Sequence, residues 1–225
     1  MRLRLPRLVR HQRFKVVYLA LWGPYVLLYQ LTNRWPLREP VELSFTALDR
    51  SIPFVPELLP IYVGYIPLYW WVISRLENDR EVGRAFYATH LQLALALSVF
   101  ILFPVRMPRE LFYGPEFYGW ADAFWRWFDA PNNCFPSLHA ANCMLLIQLC
   151  WSRPYRALHV GALATIIAST VLVKQHYVVD LLAAGLVYAA SAAFLARLEI
   201  TGVDASGWAL ARGSRGRPEG GQGSA

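Results

Sequence analysis

Long apolar runs broken by short polar clusters set the pattern of this chain. Six can be drawn, approximately from Phe14 to Leu31, Pro56 to Ser74, Ala85 to Phe103, Ser137 to Trp151, Ala157 to Val173 and Tyr177 to Leu198. Most match the roughly 17–25 apolar residues that a helix needs to cross a bilayer. The fourth is short, and little separates the fifth from the sixth. No polar face recurs along the runs, as it would on the surface helices of a soluble protein. The pattern predicts an all-α fold, an integral membrane bundle of six transmembrane helices over 14–201. A basic cytoplasmic arm over 1–13 precedes it and a tail over 202–225 follows. That tail is rich in Gly, Ser and Arg and reads as disordered.

Composition agrees with a membrane protein. Of the 225 residues 56% are hydrophobic and only 16% charged, where a soluble domain carries closer to a quarter. Cytoplasmic loops of membrane proteins carry the excess of Lys and Arg. With the N-terminus inside, 15 of the 22 basic residues fall on the inner side, which predicts that both termini are cytoplasmic. The arm lacks a cleavage site after the first run, so it does not read as a cleavable signal. Its charge suits anionic lipid headgroups better than nucleic acid, because a membrane span follows directly. Cys134, Cys143 and Cys150 have no metal-site spacing and read as packing residues, Cys134 as a neighbour of the polar residues described next.

The topology brings chemistry to one face. The third run exits outward at Arg106 and Arg109, the fourth enters at Pro136-Ser137-Leu138-His139, and the fifth and sixth meet at Lys174-Gln175-His176-Tyr177-Val178-Val179-Asp180. A helix starting near His176 stacks Asp180 on the same face. A carboxylate on one ring nitrogen makes the other a better nucleophile. Ser137 predicts an N-cap, leaving the backbone N–H groups of Leu138 and its neighbours as an anion site. Arg106, Arg109 and Lys174 offer charge to phosphate oxygens. His176 would then attack phosphorus with Asp180 orienting it, and His139 would serve as general acid and base. His90 and His159 fall near the inner side and read as packing residues. His11 has no assigned role.

These motifs resemble the type-2 phosphatidic acid phosphatase superfamily, in the branch that includes inositol-phosphorylceramide synthases and their bacterial relatives. The family pattern runs Lys-x6-Arg-Pro, Pro-Ser-Gly-His, then Ser-Arg-x5-His-x3-Asp. Here Leu138 replaces the Gly, as in the synthase-like branch. Thr170 stands where the family has a phosphate-binding Arg, with His176 and Asp180 in register after it. Arg109 matches the first-motif Arg, but Glu110 replaces its Pro and Leu102 holds the Lys position. Lys174 and Arg106 are the candidates to supply the missing charge. The resemblance implies a six-helix membrane fold, no metal or other cofactor, a phosphohistidine at His176 and acid–base catalysis by His139. The segment Asp49 to Pro56 is also similar to this branch, without an assigned role.

The leading expectation is therefore a membrane enzyme acting on a lipid phosphate or phosphodiester at the extracytoplasmic face of the cell membrane. Water or an alcohol acceptor would resolve the phosphohistidine, the latter making an inositol- or other alcohol-phosphoryl lipid. A catalytically dead scaffold of the same fold is the alternative that the lost Arg and Lys favour. An intramembrane metalloprotease lacks His-Glu-x2-His. The aromatic segment between Arg109 and Asn133, with Trp120, Trp125 and Trp127, suits a membrane interface and would border a lateral lipid route.

Overall fold

The computed structural model describes residues 2–8, 10, 14–113 and 129–202, with the side chains of 14–21 outside that description. Most of the aromatic segment and the tail beyond Gly202 therefore lie outside the described residues, and so does His11. The chain is all-α with small strand pairings. In order it forms β1 (Leu3–Pro6), α1 (Phe14–Arg34), β2 (Val41–Glu42), α2 (Ala47–Ser51), α3 (Leu59–Val63), α4 (Tyr65–Ser74) and α5 (Asp79–Leu102). Then follow β3 (Val105–Arg106), α6 (Leu138–Cys150), α7 (Arg156–Leu172), α8 (Val178–Arg197) and β4 (Leu198–Thr201).

Each of the six apolar runs is helical. The second is broken: a 3-10 turn over Pro56–Leu58 leads into α3, and Gly64 separates α3 from α4. A Cβ at Gly64 would lie 3.1 Å from the Ile61 carbonyl oxygen, so a side chain there would press on the turn that joins the two pieces. Among the described residues, α5 and α8 are long and apolar enough to cross a membrane, and α6 and α7 are shorter apolar helices.

Helix α6 sits centrally, packed against α5, α7 and α8. Ala140, Ala141, Cys143, Leu145 and Leu146 are buried on it, small residues near its start allowing close approach of α8 at Ala184. Polar glue reinforces this packing. Gln92 on α5 donates to the Ala141 carbonyl at 3.2 Å and to Ser191 Oγ on α8 at 2.9 Å.

The two ends of the bundle differ in chemistry. At one end β1 pairs in parallel with β4, Leu3 opposite Leu198. Arg7 forms a partly buried ion pair with Asp79 at 3.0 Å, and Arg153 in the α6–α7 turn pairs with Glu77 and Glu81. Within the basic arm, Leu3–Pro6 is folded as β1, with Arg4 paired to Glu199. At the opposite end lie the close of α5, the start of α6 and the turn between α7 and α8. There β2 pairs with β3, and Asn133 bridges to Val105.

Candidate active site

His176 sits in the short segment between α7 and α8. The helix ends because Val173 and Lys174 turn back on it, Lys174 in the left-handed region at φ 51°, and the N–H groups of Gln175 and His176 both return to the Thr170 carbonyl. This buried turn fixes the His176 backbone. The side chain is fixed at Nδ1, which lies 2.8 Å from the Cys134 carbonyl oxygen and 3.0 Å from Asp180 Oδ2. A carbonyl oxygen can only accept, so Nδ1 carries the proton and the neutral ring keeps its lone pair on Nε2.

Asp180 is the third residue of α8 and is fully buried. Its Oδ2 accepts from His176, from the Tyr177 N–H at 2.9 Å and from the Cys134 thiol at 2.9 Å. Burial, and then the neighbouring Asp180 charge, push the Cys134 thiol up, so it stays a protonated donor. Cys134 Sγ, His176 Nδ1 and the Asp180 carboxylate lie within 4.8 Å of one another, which is also the donor set of a metal site. In this arrangement the three atoms are joined to each other by hydrogen bonds, and a metal would have to displace the protons that make them.

Ser137 caps α6, its Oγ accepting from the Ala140 N–H at 3.3 Å, while its own N–H reaches the Asp180 carbonyl. The N-termini of α6 and α8 are thereby tied together. His139, in the first turn of α6, stacks on the Tyr62 ring with centroids 4.4 Å apart and tilts against Tyr65 at 4.7 Å. Its ring centroid is 6.2 Å from that of His176.

The three candidate cations go to different places. Arg109 follows Pro108 at a 3-10 turn and pairs with Asp129 Oδ2 at 3.3 Å, both side chains largely buried. Asp129 Oδ2 also accepts from the Tyr62 hydroxyl at 3.0 Å, so this pair is linked to the ring on which His139 rests. Arg106 instead turns to the surface, to Glu42 and Glu110. Burial works against its charge, but Glu110 and Glu42 outweigh that and hold it more firmly protonated than usual. Lys174 is buried and donates to the Asp49 and Ile52 carbonyls at 2.9 and 2.6 Å. Burial weakens its hold on the proton, and Asp49 opposes this in part. The hydroxyl of Thr170 is spent on the Ile167 carbonyl of its own helix. Arg109, His139, Ser137, His176 and Asp180 thus gather at one end of the bundle, while Arg106 and Lys174 have their donors committed elsewhere.

Two groups beyond the sequence reading shape the site. Asp129 accepts on Oδ1 from Tyr29 and Asn33 of α1, and Asn33 Oδ1 receives the N–H groups of Asn132 and Asn133. This network locks the end of α1 to the strand of chain that carries Cys134. Its only sequence signal is the density of Asp and Asn over 129–133. The second is Asp49. Thr46 and Asp49 form a capping box on α2, a spacing visible in the sequence, and Asp49 Oδ1 also accepts the Val178 N–H at 2.7 Å. The Asp49 segment is therefore a strap over the turn that presents His176, completed by the Val55 N–H to the Leu172 carbonyl.

The sequence profile of the PAP2 superfamily matches residues 45–194, from just before that strap to near the end of α8. No curated protein and no solved structure matches the chain. With two thirds of its length covered by the match, the chain belongs to the PAP2 superfamily, whose members are phosphatases and phosphotransferases and are usually associated with membranes.

Proposed function

We propose that this PAP2 superfamily member is a multi-pass membrane enzyme that moves a lipid-borne phosphoryl group through a phosphohistidine at His176, without a metal. The observation that carries the reading is the double hydrogen bond at His176 Nδ1. It leaves Nε2 as the nucleophilic atom and gives Asp180 the positive charge to stabilise as the N–P bond forms. His139, one ring away, protonates the leaving oxygen and later takes the proton from the acceptor. A 6.2 Å ring separation lets nitrogens of both rings reach opposite sides of one phosphoryl group. The N–H groups at the start of α6 and the Arg109 guanidinium receive the equatorial oxygens. All three cations are held by other partners, Arg109 by Asp129. The principal role falls to Arg109 because Asp129 links it to the Tyr62 ring on which His139 rests.

The membrane reading has its own support. The β1–β4 pairing brings the segments before α1 and after α8 to one end of the bundle, as an even number of crossings requires. Six helical runs with the basic excess at that end support an extracytoplasmic position for His139 and His176. The test of function is turnover. Purified enzyme in detergent is given a short-chain lipid phosphate, with and without an alcohol acceptor. Free phosphate identifies a hydrolase, and phosphate moved onto the alcohol as a new phosphomonoester identifies a transferase. Neither product from the wild-type protein, or equal product from His176→Ala, overturns the reading.

A further inference from the structure

We propose that Cys134 is a positioning residue of the His176–Asp180 pair, holding the carboxylate with its thiol and the imidazole with its carbonyl. The inference rests on His176 being the nucleophile, and it assigns work to a residue that the sequence marks only as a neighbour. The thiol lies 2.9 Å from Asp180 Oδ2 and the carbonyl 2.8 Å from His176 Nδ1. One residue thus touches both members of the pair from the α6 side of the site.

The arrangement has a physical reason. Asp180 is fully buried, and among the described residues its Oδ1 has no hydrogen-bond partner. All of its stabilisation therefore falls on Oδ2, which takes three donors. The His176 bond alone would let the carboxylate swing about its side-chain torsions. The Tyr177 N–H at the N-cap of the same helix and the Cys134 thiol from the segment before α6 fix the plane in which Oδ2 meets Nδ1. Cys134 is itself anchored, with its N–H on the Val105 carbonyl at 3.0 Å and its side chain packed with Val105, Met107 and Tyr177. Cys143 and Cys150 lie further along α6, and Cys143 is packed in the hydrophobic core. A thiol is a weak donor, yet its acceptor is a buried carboxylate, where hydrogen bonds are strongest.

The experiment has a spectroscopic arm and a kinetic arm. The S–H stretching band of Cys134, assigned by its loss in Cys134→Ser, is expected at lower frequency than the bands of Cys143 and Cys150. It should move up in Asp180→Asn, where the acceptor loses its charge. In turnover, Cys134→Ala is expected to lower kcat about tenfold with KM unchanged, a loss of about 1.4 kcal/mol. Cys134→Ser keeps a donor and should stay within about threefold of wild type. In an Asp180→Asn background Cys134→Ala should cost almost nothing more, because the two act through one bond. An S–H band that ignores Asp180→Asn overturns the proposal. So does full additivity of the two substitutions, or a bound metal that is lost with Cys134→Ser. The spectroscopic arm needs no turnover and stands even where Cys134→Ala fails to fold. An inactive wild-type protein with the shifted band would overturn the proposed function and leave the hydrogen bond established.

Discussion

Asp49 Oδ1 accepts the N–H of Val178 at 2.7 Å, so a residue of the first half of the chain caps the helix that follows His176. The same carboxylate caps α2 through Thr46. Loss of one such cap costs about 0.5–2 kcal/mol, and Asp49→Ala removes two. We expect a lowered melting temperature in detergent and a lower kcat, since the His176 turn loses its strap. Burial alone would raise the Asp49 carboxyl, but its bonds to Thr46 and Val178 and the Lys174 charge hold it below the usual carboxylate range. A depressed carboxyl contributes its full stability above the ordinary carboxylate value, and that contribution is lost as pH falls through the folded-state value. Melting temperature should therefore drop more steeply on acidification in the wild type than in Asp49→Asn. Parallel curves for the two proteins would refute the assignment.

His176→Ala is expected to lower turnover by about a thousandfold or more while the protein still inserts, because the atom proposed to attack phosphorus is gone. Asp180→Asn keeps the ring and loses its orienting charge. Its kcat should fall by about a hundred- to ten-thousandfold, in line with the loss of an orienting aspartate in other His–Asp pairs. His139→Asn should still accept a phosphoryl group from a substrate with a good leaving group and then hold it. Acid-labile, base-stable label on His176 in that variant, absent in His176→Ala, is the measurement. Label that survives His176→Ala would refute the nucleophile.

Arg109 and Asp129 make a testable pair. Breaking a buried ion pair by removing one partner costs about 3–5 kcal/mol, and both side chains are largely buried. Arg109→Met and Asp129→Asn should each destabilise the protein. The double variant should recover much of the stability and none of the turnover if Arg109 receives the phosphate oxygens as proposed. A double variant as active as wild type would make Arg109 a structural residue only.

The orientation is read with single cysteines. Leu37, between α1 and β2, and Ser152, in the α6–α7 turn, are both exposed, whereas Cys134, Cys143 and Cys150 are buried. Leu37→Cys should react with an impermeant thiol reagent in intact cells, and Ser152→Cys only after permeabilisation. The opposite result would put the site on the cytoplasmic face.

Much of the architecture was legible in the sequence because apolar runs of this length have few alternatives to helix. The ends of α5, α7 and α8 fall within a few residues of the expected spans, apart from the polar first turn of α5, which begins at Asp79 behind an Asn78 cap. The pairing of His176 with Asp180 was legible as a spacing of four. His176 nevertheless precedes the first helical residue, Val178, and the Asp180 carboxylate reaches back to it from the first turn. The partners of the cations were not legible. Lys174 sits two residues from His176 in sequence, yet its left-handed backbone and buried position send its ammonium to the Asp49 and Ile52 carbonyls. Arg106 is likewise claimed by Glu42, a residue brought near only by the β2–β3 pairing. Neither contact has a local signature. The strand over Leu3–Pro6 escaped for the same reason: four residues gain a conformation from a partner nearly two hundred positions away.

That strand closes the chain into a ring, and the closure has an order in time. Leu3–Pro6 cannot pair until Leu198–Thr201 has left the ribosome behind the last helix. Throughout synthesis the first segment waits without its neighbour, and Arg7 meets Asp79 from a strand not yet held in place. The pairing is therefore a late clasp, made at the end of the bundle opposite His176. A bulky fusion placed directly before Leu3 would act on that late step, leaving the helices inserted and the bundle unfastened.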